Sequence, residues 1–164
     1  PPACLADRSM DMPDARGRRL GNLLVVLQFV LMAAAGWACL PAFLSGQAPM
    51  VAWGLAAVAC GIGLWALSAN RPGNFNIRPQ PREGGRLIEH GPYRWIRHPM
   101  YSALLLAGLG VAWLAGNAIA WGALAALAVV LRLKAGIEEA AMSRAHAGYV
   151  GYRQRTKRFV PGVW

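Results

Sequence analysis

The sequence predicts an all-α protein, a polytopic membrane helix bundle of about four transmembrane helices with both termini cytoplasmic. Three observations carry that prediction. The chain of 164 residues is 56% hydrophobic with a mean hydropathy of +0.33, yet it bears a formal charge of +10. Its charged residues fall only in blocks 6–19, 71–97 and 132–158, leaving 51 residues (20–70) and 34 residues (98–131) without one Asp, Glu, Lys or Arg. Uncharged apolar runs of that length read as membrane spans, and the pattern excludes disorder, coiled coil and an ordinary soluble globule. The length suits one compact unit rather than two domains.

The elements follow in order. Residues 1–19 read as a cytoplasmic tail and 20–164 as a single membrane domain; residues up to about Ser9 read as upstream sequence, with Met10 or Met12 as the start. The first span covers about 20–44, with Pro41 expected to kink or end it. A cleaved signal peptide is the competing reading, since Arg16, Arg18 and Arg19 precede the apolar run, but the run exceeds a normal signal core and a second span follows at once. That second span, about 50–69, gives about 30 Å of helix, the thickness of the hydrocarbon core. A polar loop occupies 70–98. The block after it is split by Gly116-Asn117, a turn signal, into spans of about 99–115 and 118–133. Each half gives only about 24 Å of helix. Either the fourth helix continues past Arg132 or the hairpin is drawn into the bilayer. Residues 134–164 form a C-terminal helix and tail.

Orientation comes from the loops. The three charged blocks contribute +1, +4 and +5, while the connections Ser45–Pro49 and Gly116-Asn117 carry no charge. Basic loops stay inside, so the charged face is cytoplasmic. Fifteen Arg against two Lys, with abundant Ala and Gly, point to a GC-rich bacterial source and hence to the inner membrane. The small residues Ala33–Gly36, Gly61, Gly63, Gly108 and Gly110 suit close helix packing. Trp37, Trp53, Trp65, Trp113 and Trp121 suit interfacial belts. Gln28 is the polar side chain deep in a helix, and a hydrogen bond between helices accounts for it. No ionisable residue lies mid-span to line a channel. Cys4, Cys39 and Cys60 have no disulfide or metal spacing, so no metal is expected. Topology explains the positive charge, so nucleic acid is not an expected partner; the bilayer is.

Two segments hold the chemistry. In the loop, Gly91-Pro92 makes a turn, His98 caps a helix begun by Pro99, and Tyr101 falls in its first turn. Such a helix start seats a carboxylate or phosphate, whereas Tyr93, Arg94, Trp95 and Arg97 equally suit anchoring at anionic headgroups. After the fourth span, Glu138-Glu139 follow Arg132 and Lys134 by one to two turns, which admits plain solvated ion pairs as well as a site. Tyr149 and Tyr152 are either interfacial aromatics or a pocket wall.

Together these residues resemble the isoprenylcysteine carboxyl methyltransferase family and its phospholipid N-methyltransferase relatives. The resemblance rests on Asn74-Phe75-Asn76, Gly91-Pro92-Tyr93, Arg97-His98-Pro99 with Tyr101, and then Arg132, Lys134, Glu138-Glu139, Tyr149, Tyr152 and Pro161. It spans about 60–162. His146-Ala147 replaces the family's phenylalanine–glycine pair, and the additional spans of eukaryotic members are missing.

The resemblance implies a membrane methyltransferase that uses S-adenosylmethionine at a cytoplasmic cofactor-binding region. It implies a lipid or prenylated small-molecule substrate, of the isoprenylcysteine O-methylation type first. Tyr93, Arg97, His98, Pro99, Tyr101, Glu138 and Tyr149 would bind the cofactor, and Asn74, Asn76 and Tyr152 the substrate. Arg132 would orient a carboxylate acceptor with Glu139 fixing the arginine. An amine acceptor would instead need Glu138, Glu139 or His98 as base. Phospholipid N-methylation, an NADPH-dependent membrane sterol or lipid reductase, and a non-enzymatic membrane anchor are the other classes weighed.

Overall fold

Each apolar block becomes helix. The computed structural model of the chain describes residues 15–70 and 86–162. Its α-helices are α1 (Ala15–Leu44), α2 (Met50–Ala69), α3 (Pro99–Ala115), α4 (Ala118–Ala145) and α5 (Tyr149–Arg155), with a 3₁₀ turn at Gly91–Arg94 before α3. α1, α2 and α4 are each long and apolar enough to cross a membrane, and α3 is a shorter apolar helix of 17 residues. The protein is therefore a membrane helix bundle. α1 runs on past Pro41 to Leu44. α4 does not stop at about residue 133; it continues unbroken to Ala145, which decides between the two expectations for that hairpin.

The bundle is apolar outside and tightly packed inside. Leu23, Phe29, Trp37, Leu64 and Val129 are all more than half exposed, as side chains facing lipid would be. Between the helices sit small residues, because lipid offers no hydrophobic drive for association and close packing must supply it. On α2 the buried Ala52, Ala59 and Ala66 recur every seventh position, in register with α3. A Cβ at Gly110 would lie 3.2 Å from the Ala52 carbonyl oxygen and 3.3 Å from Leu55 Cβ, while one at Gly63 would lie 3.8 Å from Ala103 Cβ. These pairings make α2 and α3 antiparallel.

α3 also packs against α1 and α4, and α1 against α4. The α3–α4 turn shows why Gly116-Asn117 is required there. Gly116 ends α3 at φ 61°, a left-handed conformation that favours glycine. Asn117 Oδ1 accepts from Ala120 N–H at 3.0 Å and so caps α4, and its Nδ2 donates to the Ala38 carbonyl of α1 at 3.0 Å. At the other end Lys134 Nζ donates to Gln28 Oε1 at 2.7 Å. The order of the two ties makes α1 and α4 antiparallel. Gln28 thus makes the interhelical bond expected of it, though with a lysine.

Candidate functional site

The site is built where the start of α3, the far half of α4 and the C-terminal tail meet. Gly91, at φ 60°, lets the 3₁₀ turn press onto the end of α2; a Cβ there would come within 2.8 Å of Ala69 Cβ. The chain then reaches Arg97-His98-Pro99. Pro99 occupies the first position of α3, where its missing N–H costs nothing, and His98 is the N-cap.

The tail straps this segment from outside. Arg97 N–H donates to the Lys157 carbonyl (2.8 Å), His98 N–H to the Arg158 carbonyl (3.1 Å), and Lys157 N–H to the Trp95 carbonyl (2.9 Å). Ile96 and Lys157 form a parallel bridge. Ser102 Oγ completes the strap by donating to the Phe159 carbonyl at 2.6 Å.

Two adjacent glutamates on α4 meet this frame in opposite ways. Glu139 is 3% exposed and fully engaged. Arg158 binds both of its oxygens, Nε to Oε1 at 3.0 Å and Nη2 to Oε2 at 2.7 Å, while Arg97 Nε donates to Oε1 at 2.9 Å. His98 Nε2 lies 3.2 Å from the same Oε1. Bidentate arginine contacts of this kind are among the stronger charged pairs. Arg97 also donates through Nη1 to the Arg153 carbonyl at 3.1 Å and to the Thr156 carbonyl, so it closes the C-terminal end of α5 as well.

Glu138 is the open member of the pair, with its side chain 21% exposed. Tyr101 donates its hydroxyl to Oε1, and His98 Nδ1 lies 3.4 Å from Oε2. The His98 ring stacks on Tyr101 at 5.3 Å between centroids and 6° between planes, and Phe159 packs on both rings. Each ring nitrogen of His98 therefore faces a carboxylate, and both can donate only in the imidazolium form. Burial alone pushes the His98 pKa down, but Glu138 and Glu139 outweigh it and hold the pKa above the ordinary value. Arg158 is likewise held above its ordinary value by Glu139.

The remaining candidate residues fall into place around this cluster. Tyr149 and Tyr152 are buried and pack on each other, 5.8 Å between centroids. The Tyr152 hydroxyl donates to the Tyr93 carbonyl at 2.8 Å, which pins α5 to the 3₁₀ turn. Burial raises the pKa of both phenols, with Glu139 adding to the rise at Tyr149 and Tyr149 to that at Tyr152. Tyr93 itself is half-buried, and burial raises its pKa too. Asn74 and Asn76 lie outside the described residues.

Arg132 is exposed on α4, whereas Lys134 is buried with its Nζ 5.2 Å from the centre of the Tyr101 ring. The cations around Glu139 are Arg97, Arg158, His98 and, at 3.9 Å, Arg153. Helical periodicity carries the signal for the lysine: the buried stripe of α4 runs through Leu127, Val130, Leu131, Lys134, Ala135 and Glu139. Position 132 falls off that stripe and position 134 falls on it. Arg158 has no comparable signal, since it lies in a tail whose charge topology already explains.

This arrangement can hold one buried, neutralised carboxylate as a frame and leave a second carboxylate, flanked by a phenol and an imidazole, on its more exposed side. A family model described as phospholipid methyltransferase matches residues 49–148, which include α2, α3 and both glutamates. Among curated proteins the search finds no match.

Proposed function

Because the chain belongs to the phospholipid methyltransferase family, we propose that it transfers the methyl group of S-adenosylmethionine to a lipophilic acceptor at the membrane surface. The observation that carries this reading is the Glu138–His98–Tyr101 group, open on one side and held from behind by Glu139 and its arginines.

The residues present fit such a cofactor. Glu138 offers a carboxylate for an ammonium group, Tyr101 and His98 offer polar edges beside it, and half-buried Tyr93 offers an aromatic wall. When bound, the cofactor supplies an electrophilic methyl carbon on a sulfonium; the acceptor's lone pair forms the new bond as the carbon–sulfur bond breaks and its electrons return to sulfur. The protein's part is to position the reactants and exclude water. Arg97 and Arg158 keep the frame rigid by fixing Glu139. Tyr101 orients the carboxylate of Glu138 by donating to it.

Two acceptor classes are separated by the proton. An amine must lose one, and Glu138, its side chain 21% exposed, is the carboxylate placed to receive it; the family description names a phospholipid and is consistent with this acceptor. A prenyl-cysteine carboxylate needs no base but needs a cation. Arg132, exposed on α4, supports that second reading, as does the resemblance of Gly91-Pro92-Tyr93 and Arg97-His98-Pro99 to isoprenylcysteine methyltransferases. The segregation of positive charge supports a site on the cytoplasmic side of a bacterial inner membrane.

Thermal unfolding of the purified protein in detergent tests the cofactor. S-adenosylhomocysteine is expected to raise the Tm and NADPH to leave it unchanged; stabilisation by NADPH alone would overturn the reading in favour of a reductase. Labelled methyl transfer into phosphatidylethanolamine and into a prenyl-cysteine then identifies the acceptor.

A further inference from the structure

α1 lies outside the matched segment, and nothing in its sequence beyond Gln28 distinguishes it from a generic span. It nevertheless reaches the site. Gln28 lies well inside α1, is 6% exposed, and gives its Oε1 to Lys134 Nζ at 2.7 Å. Lys134, 2% exposed, stands one turn before Glu138 on α4 and faces the ring of Tyr101 at 5.2 Å. Tyr101 in turn donates to Glu138 and stacks on His98. A continuous set of contacts therefore runs from the middle of α1 to the open carboxylate.

We propose that Gln28 is a positioning residue for methyl transfer, an inference that rests on the function proposed above. Its side-chain carbonyl holds the Lys134 amine against the Tyr101 ring and so fixes the direction in which Tyr101 presents its hydroxyl to Glu138. A buried amine cannot go without an acceptor, because burying a polar group unpaired costs free energy. Without Gln28, the acceptor within reach of Lys134 is Glu138, one turn away on the same helix. The amine would then draw on the carboxylate that the reaction uses, competing with Tyr101 for its oxygens. Gln28 keeps the lysine from doing so. The amide suits this task because it accepts a hydrogen bond while adding no charge to a span that has none.

The test is methyl transfer by full-length Gln28→Leu and Gln28→Glu, with kcat expressed per site that binds S-adenosylhomocysteine so that unfolded protein does not count. Gln28→Leu is expected to lose roughly tenfold or more in kcat, the worth of one hydrogen bond to a charged group. Gln28→Glu, which keeps an acceptor at the same reach, is expected to restore most of that loss. Equal kcat in Gln28→Leu and wild type, or equal losses in the Leu and Glu variants, would overturn the proposal. Should Gln28→Leu fail to fold, Gln28→Asn replaces it: its acceptor is one methylene short, and a kcat equal to that of Gln28→Glu would overturn the proposal. Wild-type protein that binds no S-adenosylhomocysteine would instead overturn the methyltransferase reading, and this one with it.

Discussion

The α2–α3 seam and the α3–α4–tail cluster lie at the same helix, yet they are held by different physics. In the seam, contact is made by Ala52, Ala59, Ala66, Gly63, Ala103 and Gly110, none of which carries a polar side chain. Specificity there is a matter of volume. In the cluster, Glu138, Glu139, His98, Arg97 and Arg158 crowd together, and specificity is a matter of charge balance. The seam carries no chemistry but sets how α3 stands in the bundle; the cluster depends on that placement because its histidine is the first residue before α3. A rigid apolar contact thus positions a polar site that could not organise itself from solvated side chains.

The sharpest way to break the comparison is to remove the charge of Glu139. Gln at this position keeps the shape but leaves Arg97, Arg158 and His98 facing a neutral amide. Breaking a buried ion pair by deleting one partner costs about 3–5 kcal/mol, so Glu139→Gln is expected to lower the Tm by many degrees and lose activity together with folded protein. Glu138→Gln, one residue away, is expected to do the reverse. With its side chain 21% exposed and held only by Tyr101 and His98, it should lower the Tm far less than Glu139→Gln while methyl transfer collapses. Thermal unfolding and turnover measured on both variants separate frame from reacting group. Equal Tm losses would show that the two carboxylates share one structural role.

A smaller effect is expected in the seam. At Gly110 a leucine would drive its side chain into the Ala52 carbonyl and Leu55. Overpacking of a filled contact costs about 1–3 kcal/mol, read as a lower Tm with the charge cluster intact. Turnover at temperatures well below the Tm should fall only modestly. A Tm unchanged by Gly110→Leu would show that α2 and α3 are not packed as closely as the glycine implies.

Most of the fold could be read from charge and glycine alone, because a bilayer tolerates neither charged side chains nor unpaired backbone along a span. The ends of α2 and α3 coincide with the boundaries read from Met50, Ala69, Pro99 and Gly116. The end of α4 did not show itself, because helix and charge change at different places: Arg132 ends the uncharged run, but nothing there breaks the helix before His146. The site was legible where local geometry dictates it, as with His98 capping a helix begun by Pro99. It was not legible where the tail decides it. Arg158 reaches Glu139 only because backbone bonds lay residues 157 and 158 along 95–98, and no side-chain pattern records that path. The burial of Lys134 stood in between: periodicity contains it, while charge counting conceals it.

The gentlest probe of the cluster is pH, which alters His98 without altering a side chain. Its pKa is raised in the folded protein, since the two glutamates outweigh the effect of burial. The imidazolium contribution to stability is therefore fully present below the unfolded value of about 6.5 and is lost as pH rises through the higher folded value. Deprotonation removes only one of the two ring donors, and Arg97 and Arg158 continue to neutralise Glu139. The fall in Tm across this window is thus expected to be smaller than for Glu139→Gln or Gly110→Leu. His98→Gln, which keeps an amide donor but cannot titrate, should flatten the dependence. A pH profile of Tm that is the same in wild type and His98→Gln would show that His98 is not the group titrating between the carboxylates.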